Sequence, residues 1–280
     1  MTGNTYGIVA GYDGSAGSGQ ALRWAAREAR ARGTTLTVCL AWAPAHIALP
    51  RESAMYDLAR LHSKEILALG LPYAEPALGS GHIATDLADG PAARVLCERS
   101  RSAEMVVVGS RGNTELPGLL LGSVASQVAG HATGRVVVVR GQWRPVNHSP
   151  GPVVVGVDGS PASLAALAFA FEEAALRDVP LVAVCALADA AGRLGEAHVI
   201  KAGFGQAMAG QEEEYPEVTV VRKVVTGAPR TSLLTAADGA QMLVVGCRGR
   251  GGLDNMALGS VAQAMLHHSP CPVGIAHPAS

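Results

Sequence analysis

Aromatic residues are scarce in this chain. Phe, Trp and Tyr make up 4% of 280 residues, while 49% are hydrophobic, so its cores must be built by Val, Leu and Ala packing. No block of Lys and Arg occurs and the formal net charge is -1, which excludes the electrostatic footprint of a nucleic-acid binder. No apolar run approaches the roughly 20 residues that span a bilayer. The opening MTGNTYGIVAGYDGS has no basic region followed by an apolar one, so it reads as leading into a strand rather than as a signal peptide. The five cysteines are widely spaced and form no Cys-x-x-Cys pair, which fits a reduced cytoplasmic setting and small buried side chains. Cys247 is the one expected to be partly exposed, because it falls inside a glycine loop. No Gly-x4-Gly-Lys-[Ser/Thr] occurs, so this is no P-loop NTPase, and no Gly-x-Ser-x-Gly elbow stands out. Gly14 to Gly19 matches a dinucleotide fingerprint only loosely and with the wrong spacing. His267-His268 has no partner at metal-ligand spacing and reads as a helix end.

What the chain has is glycine, 34 of them, and a repeat. IVAGYDGSAGS (Ile8 to Ser18) matches VVVGVDGSPAS (Val153 to Ser163), 145 positions apart. MVVVGSRG (Met105 to Gly112) matches MLVVGCRG (Met242 to Gly249) at 137, and Gly122-Ser123 and Gly259-Ser260 keep that shorter offset. The second copy has therefore lost a net eight residues. The second strands, TLTVCLAW and PLVAVCAL, still fit the longer offset, so the loss falls against 43–81. That segment contains APAHIALPRES, a loop or a lid. Each copy alternates apolar strands with helical stretches. The first strand shows no period-2 alternation, as expected of a parallel strand buried on both faces. A helix follows with Ala21, Trp24, Ala25, Glu28 and Ala29 at helical spacing and a stop at Gly33. The pattern predicts a doubly wound parallel α/β sheet, twice, with 1–144 and 145–280 as domains and Gly141 to Gly151 as linker.

Both copies carry Gly-x2-Gly-x9-Gly-Ser, running from Gly109 to Ser123 and from Gly246 to Ser260. Glycines at the carboxyl end of a strand let main-chain amides approach a ligand without a Cβ in the way. Gly122-Ser123 precedes the apolar helical run VASQVAG, and a helix start with unpaired amides favours a phosphate. Arg111 and Arg248 could supply positive charge. Asp13 and Asp158 end the first strand of each copy and fall in the same crevice. They either touch a ribose, a base or a divalent cation, or cap the helix that follows. Turns shared by duplication and never used for a ligand are the alternative for the whole pattern.

VAGYDGS, VVVGSRG and LGSVASQV, with VVGVDGS, LVVGCRG and LGSVAQAMLHHSPCPV, resemble the universal stress protein family in its tandem two-domain form. The likeness covers nearly the whole chain except the variable 43–81 and 188–216. It implies a five-stranded parallel, Rossmann-like domain, and the family's ATP-binding members carry this glycine spacing. Carried over, adenine would lie at Gly11, Tyr12, Asp13 and Ala41. Ribose and phosphates would lie on Val108, Gly109, Arg111, Gly112, Gly122, Ser123 and Val124. The second set would be Gly156, Asp158, Ala186, Val245, Gly246, Arg248, Gly249, Gly259, Ser260 and Val261. The chain departs from the family at Glu104-Met105 and Gln241-Met242, where an Asp is usual, and in lacking Cys-Pro before its fifth strand. Cys247 replaces the usual small Ser. The resemblance implies a regulatory protein that holds ATP, with Mg²⁺, and acts through shape or a protein partner. A slow ATPase and a ligand-free scaffold are the alternatives; no catalytic group stands out beyond Asp13 and Asp158. Neither nucleic acid nor membrane is an expected partner, and the two domains would pair within the chain or in a homodimer.

Overall fold

The computed structural model describes residues 6–42, 53–112, 121–140, 151–187, 194–250 and 256–278. The chain divides into two compact units, Met1–Gly141 and Gln142–Ser280. In unit 1 the described strands are β1 (Tyr6–Gly11), β2 (Leu36–Trp42), β3 (Ile83–Asp89), β4 (Ala103–Gly109) and β5 (Arg135–Val139), with helices α1 (Ala16–Arg32), α2 (Ala54–Leu78), α3 (Ala92–Ser100) and α4 (Ser123–His131) between them. All strand pairs are parallel and the order is β3-β2-β1-β4-β5. A right-handed crossover puts its helix on a face set by its direction of travel. The step from β1 outward to β3 and the step from β4 to β5 run opposite ways, so α1 and α2 cover one face and α3 and α4 the other. β1 and β4 lie side by side where the direction reverses. Here the two flanking connections part and leave a crevice beyond the strand ends.

Unit 2 repeats the plan. Its strands are β6 (Val153–Gly156), β7 (Leu181–Leu187), β8 (Val220–Thr226), β9 (Met242–Gly246) and β10 (Val273–Ala276), in the order β8-β7-β6-β9-β10. Its helices are α5 (Pro161–Arg177), α6 (Leu194–Glu214), α7 (Pro229–Ala236) and α8 (Ser260–His268). The registers agree between copies: Gly11 faces Cys39 as Gly156 faces Val184, and Ala10 faces Val107 as Val155 faces Val244. The expected fold, a doubly wound parallel sheet in each of two tandem units, is the one observed.

Composition explains the packing. The strand runs IVA of β1, VVV of β4 and β6 and VVVV of β5 are buried on both faces, under helices lined with Ala and Leu. Unit 2 adds Phe169 and Phe171, among the largest wholly buried side chains. The variable stretch of the first copy becomes α2, 25 residues long despite Pro72 and Pro76. Both prolines point to solvent, where water can satisfy the carbonyls they leave unbonded. The loop-or-lid reading falls largely on residues 43–52, outside the described residues.

The helix ends differ in one informative way. α1 ends on Gly33 in the left-handed region at φ 64°, as expected. Its counterpart in α5 is Asp178, at φ 51°. An L-residue with a Cβ bears a strain there that glycine avoids. Asp178→Gly therefore stabilises unit 2 by up to about 1 kcal/mol, read as a higher urea midpoint at unchanged slope.

Candidate functional site

Each first strand ends in Asp-Gly-Ser, and the structure gives this tripeptide three jobs. Gly14 and Gly159 turn the chain in the left-handed region, at φ 84° and 81°. The Asp13 carboxylate Oδ1 accepts the Ser15 amide at 3.0 Å, and Asp158 Oδ1 accepts the Ser160 amide at 2.9 Å. The serine is the helix cap: Ser15 Oγ accepts from the Ser18 amide at 3.1 Å and Ser160 Oγ from the Ser163 amide at 3.2 Å. Ser18 and Ser163 hydroxyls in turn reach back to the main chain of Ser15 and Ser160 at 2.9 Å each. So the aspartate organises the cap without being it.

The same carboxylates set the glycine loops. A Cβ on Gly112 would stand 2.4 Å from Asp13 Oδ2, and one on Gly249 would stand 2.5 Å from Asp158 Oδ2. The second glycine of each loop is bare because an acid lies against it. The first glycine is bare for another reason. A Cβ on Gly109 would meet the Gly17 main chain at 2.7 Å, and one on Gly246 the Ala162 main chain at 2.6 Å, so the first turn of α1 or α5 can lie on the strand end. In each copy the first two glycines thus make room for the protein's own atoms. The third is different. Among the described residues the nearest neighbour to a Cβ added at Gly122 is 3.5 Å away, in ordinary contact, and its φ is -76°.

Gly122 caps α4 without any side-chain hydrogen bond. Its own amide donates to Ser110 O at 2.8 Å, and its carbonyl accepts the Ser126 amide at 3.0 Å. The amides of Ser123, Val124 and Ala125 are therefore the first-turn donors of the helix, with no intrahelical acceptor. α8 repeats this, with Gly259 as a cap lacking a side-chain bond and its amide on Cys247 O at 2.8 Å.

In unit 1 these pieces enclose a cavity of about 340 Å³ at the carboxyl ends of β1, β2 and β4. That volume is within the ~300–1,000 Å³ of small-molecule sites. Gly11, Tyr12, Asp13, Ala41, Val108, Gly109, Arg111, Gly112, Gly122, Ser123 and Val124 all line it, so the expected first set is brought together in one place. Six further lining residues, Ser18, Cys39, Ala92, Leu96, Leu121 and Ala125, were not singled out. Cys39 carried a signal, since it lies two residues before Ala41 on β2 and shares its face. Leu96 did not: it comes from α3, and only the fold brings it to within 2.9 Å of where a Gly11 Cβ would be.

The second set takes the matching positions. Gly156 ends β6 and Asp158 follows it, Ala186 is near the end of β7, Val245 and Gly246 end β9, Arg248 and Gly249 follow it, and Gly259, Ser260 and Val261 start α8. Cys247, expected to be partly exposed, is 4% exposed, because its side chain turns in under the loop. Among the described residues no cluster of three or more His, Cys, Asp or Glu could hold a metal ion.

The electrostatics differ between Cys39 in unit 1 and Asp158 in unit 2. Burial, then the charge of Asp86, push the Cys39 thiol up to about 12, with Arg99 pulling weakly the other way. Arg99 Nε donates to Asp86 Oδ2 at 2.7 Å, an ion pair beside the Cys39 thiol. Burial also tends to raise Asp158, but the Ser160 hydroxyl and amide and the Arg250 amide, at 2.6, 2.9 and 3.0 Å, outweigh it and hold the carboxyl below its usual range. A lowered folded-state value means a contribution that is complete above the ordinary carboxylate pKa of about 3.9 and is lost as pH falls through the lowered value. Asp158→Asn should therefore lower the unfolding midpoint at pH 7, and the gap to the unsubstituted chain should close as the melts are repeated towards pH 2.

Comparison with known proteins adds the following. The profile of the Universal stress protein family matches residues 7–140 and again 151–277. A universal stress protein of Mycolicibacterium smegmatis is 36% identical over 290 residues, covering 98% of this chain and 97% of that protein. One from Mycobacterium tuberculosis is 33% identical over 289 residues, with 98% and 97% covered. Among solved structures, a universal stress protein from Archaeoglobus fulgidus superposes with a TM-score of 0.72 over 98% of each chain; at 19% identity it bears on the fold alone.

Proposed function

The chain belongs to the universal stress protein family, and on that footing we propose that it is a regulatory nucleotide-binding protein whose unit 1 cavity holds ATP with Mg²⁺. One observation carries the reading. The uncapped first turn of α4 opens into a cavity at the point where the sheet reverses, with Arg111 on its rim and small or apolar side chains elsewhere. That is the arrangement a phosphate chain and a flat base require together. Free amides and the helix dipole favour the anion, and an apolar slot favours the ring. The base would lie against Gly11, Tyr12, Ala41 and Leu96, with the phosphates over Gly112, Ser123 and Val124. Mg²⁺ keeps several waters and is held largely by substrate phosphates, so a single carboxylate, Asp13, suits it. The Asp-Gly-Ser network and the bare cap of α8 support the same reading for unit 2, through Asp158, Gly249 and Ser260.

Regulation rather than turnover is the role proposed. Loading would stabilise the bound shape by RT ln(1 + [L]/Kd), about 2.7 kcal/mol at a hundredfold excess over Kd. A reducing, cytoplasmic setting suits five free cysteines, four of them buried. No helix among the described residues is long and apolar enough to cross a membrane.

Gly122→Val tests the mapping. The fold has room for a side chain there, so the variant should melt within a few degrees of the unsubstituted chain. Its branched carbons would occupy the phosphate position, and calorimetry with ATP and Mg²⁺ should show affinity at that site weaker by roughly tenfold or more, about 1.4 kcal/mol. Equal affinity would refute the placement. Mass spectrometry of the nucleotide released on denaturation, with its stoichiometry per chain, should return an adenine nucleotide, at two per chain if both units load.

A further inference from the structure

Tyr12 belongs to two surfaces. It lines the unit 1 cavity at the end of β1, yet its side chain is buried and its ring runs beneath α2. A Cβ on Gly70 would stand 2.9 Å from Tyr12 Cε1 and 3.2 Å from Leu22 Cδ1, so the main chain of α2 rests directly on the ring. Tyr73, nearly one turn further along α2, has its ring centroid 6.3 Å from that of Tyr12, the planes inclined by 51°. Tyr73 is itself wedged. A Cβ on Gly19 of α1 would stand 2.8 Å from its Cε1, and the Arg23 guanidinium carbon lies 4.6 Å above its ring centroid. One glycine on each helix is thus cut away to admit one tyrosine ring. Unit 2 has Val157 where unit 1 has Tyr12, and so has no ring there to carry a contact outward.

Among the described residues, α2 carries more exposed large hydrophobic side chains than any other helix. Of the eight large hydrophobic side chains exposed among the described residues, Met55, Leu58, Leu61 and Leu69 are on it. A change felt by α2 would therefore be presented at the protein surface.

We propose that Tyr73 is a positioning residue for the Tyr12 wall of the unit 1 cavity, and that occupancy of the cavity is passed through the two rings to α2. The inference rests on the nucleotide reading above. Its physical basis is close packing: with Gly70 and Gly19 leaving no slack, Tyr12 cannot settle against a ligand without α2 settling too. Coupling of this kind is reciprocal, so loosening the Tyr73 contact weakens the ligand by the factor through which the ligand tightens α2. Unit 2 loads without this route.

Hydrogen exchange of the full chain, titrated with ATP and Mg²⁺ and resolved by peptide, tests it. In the unsubstituted protein ATP should slow exchange at Ser123–His131 and, with the same midpoint, at Ala54–Leu78. Tyr73→Leu should abolish the slowing at Ala54–Leu78 and shift the midpoint at Ser123–His131 upward by roughly fivefold or more. The midpoint at Ser260–His268 should stay unchanged. Tyr73→Phe, which keeps the ring, should behave as the unsubstituted protein; a merely structural role would move stability without this selective, ring-dependent shift. Slowing at Ser123–His131 with none at Ala54–Leu78 in the unsubstituted protein overturns the inference and leaves the nucleotide reading standing. So does a Tyr73→Leu titration that matches the unsubstituted one. No slowing at Ser123–His131 or Ser260–His268 at any ATP concentration overturns both.

Discussion

An aspartate carboxylate resting on a glycine holds the rim of each unit together. Oxygen Oδ1 takes the amide two residues on and so fixes the turn that starts α1 or α5. Oxygen Oδ2 faces the second glycine of the loop from the neighbouring central strand, close enough that no side chain fits between. In unit 2 it also takes the Arg250 amide beyond that glycine. One side chain therefore links the two strand ends at the reversal point of the sheet, just beyond the last paired residues of the ladder. In unit 2 the carboxylate is half-buried, and the donors it takes would be left without a partner if it were removed.

The three glycines of the spacing differ in what keeps them bare. Gly109 and Gly246 answer to a neighbouring main chain and Gly112 and Gly249 to a carboxylate, while among the described residues an added Cβ at Gly122 or Gly259 would meet only ordinary contacts. Packing by the described residues thus accounts for the first two positions of the spacing and not for the third.

Much of this was legible before any coordinates. Apolar runs without alternation marked β1, β4, β6 and β9, and Gly33 marked the end of α1. The two offsets, 145 and 137, located a length change in the segment that holds α2. The cavity walls were legible where they come from the repeated motifs. They were not where a wall is supplied across the sheet: Leu96 reaches Gly11 only because α3 crosses the switch point, and nothing local in its sequence says so. Cys247 was misjudged for a related reason. A loop residue is exposed by default, but this one has its amide bonded to Ala276 O and its side chain turned inward. Helix α2 shows the limit of residue preference. Two prolines argue against an unbroken helix, and both are accommodated because they share the wet side.

The burial of sulfur has a consequence of its own. Three of the five thiols, Cys39, Cys97 and Cys247, have their ionisation disfavoured chiefly by burial, Cys39 most of all. Peroxides and electrophiles attack thiolate, and a sulfur that keeps its proton at neutral pH offers them almost none. Burial thus holds these three cysteines in the unreactive thiol form.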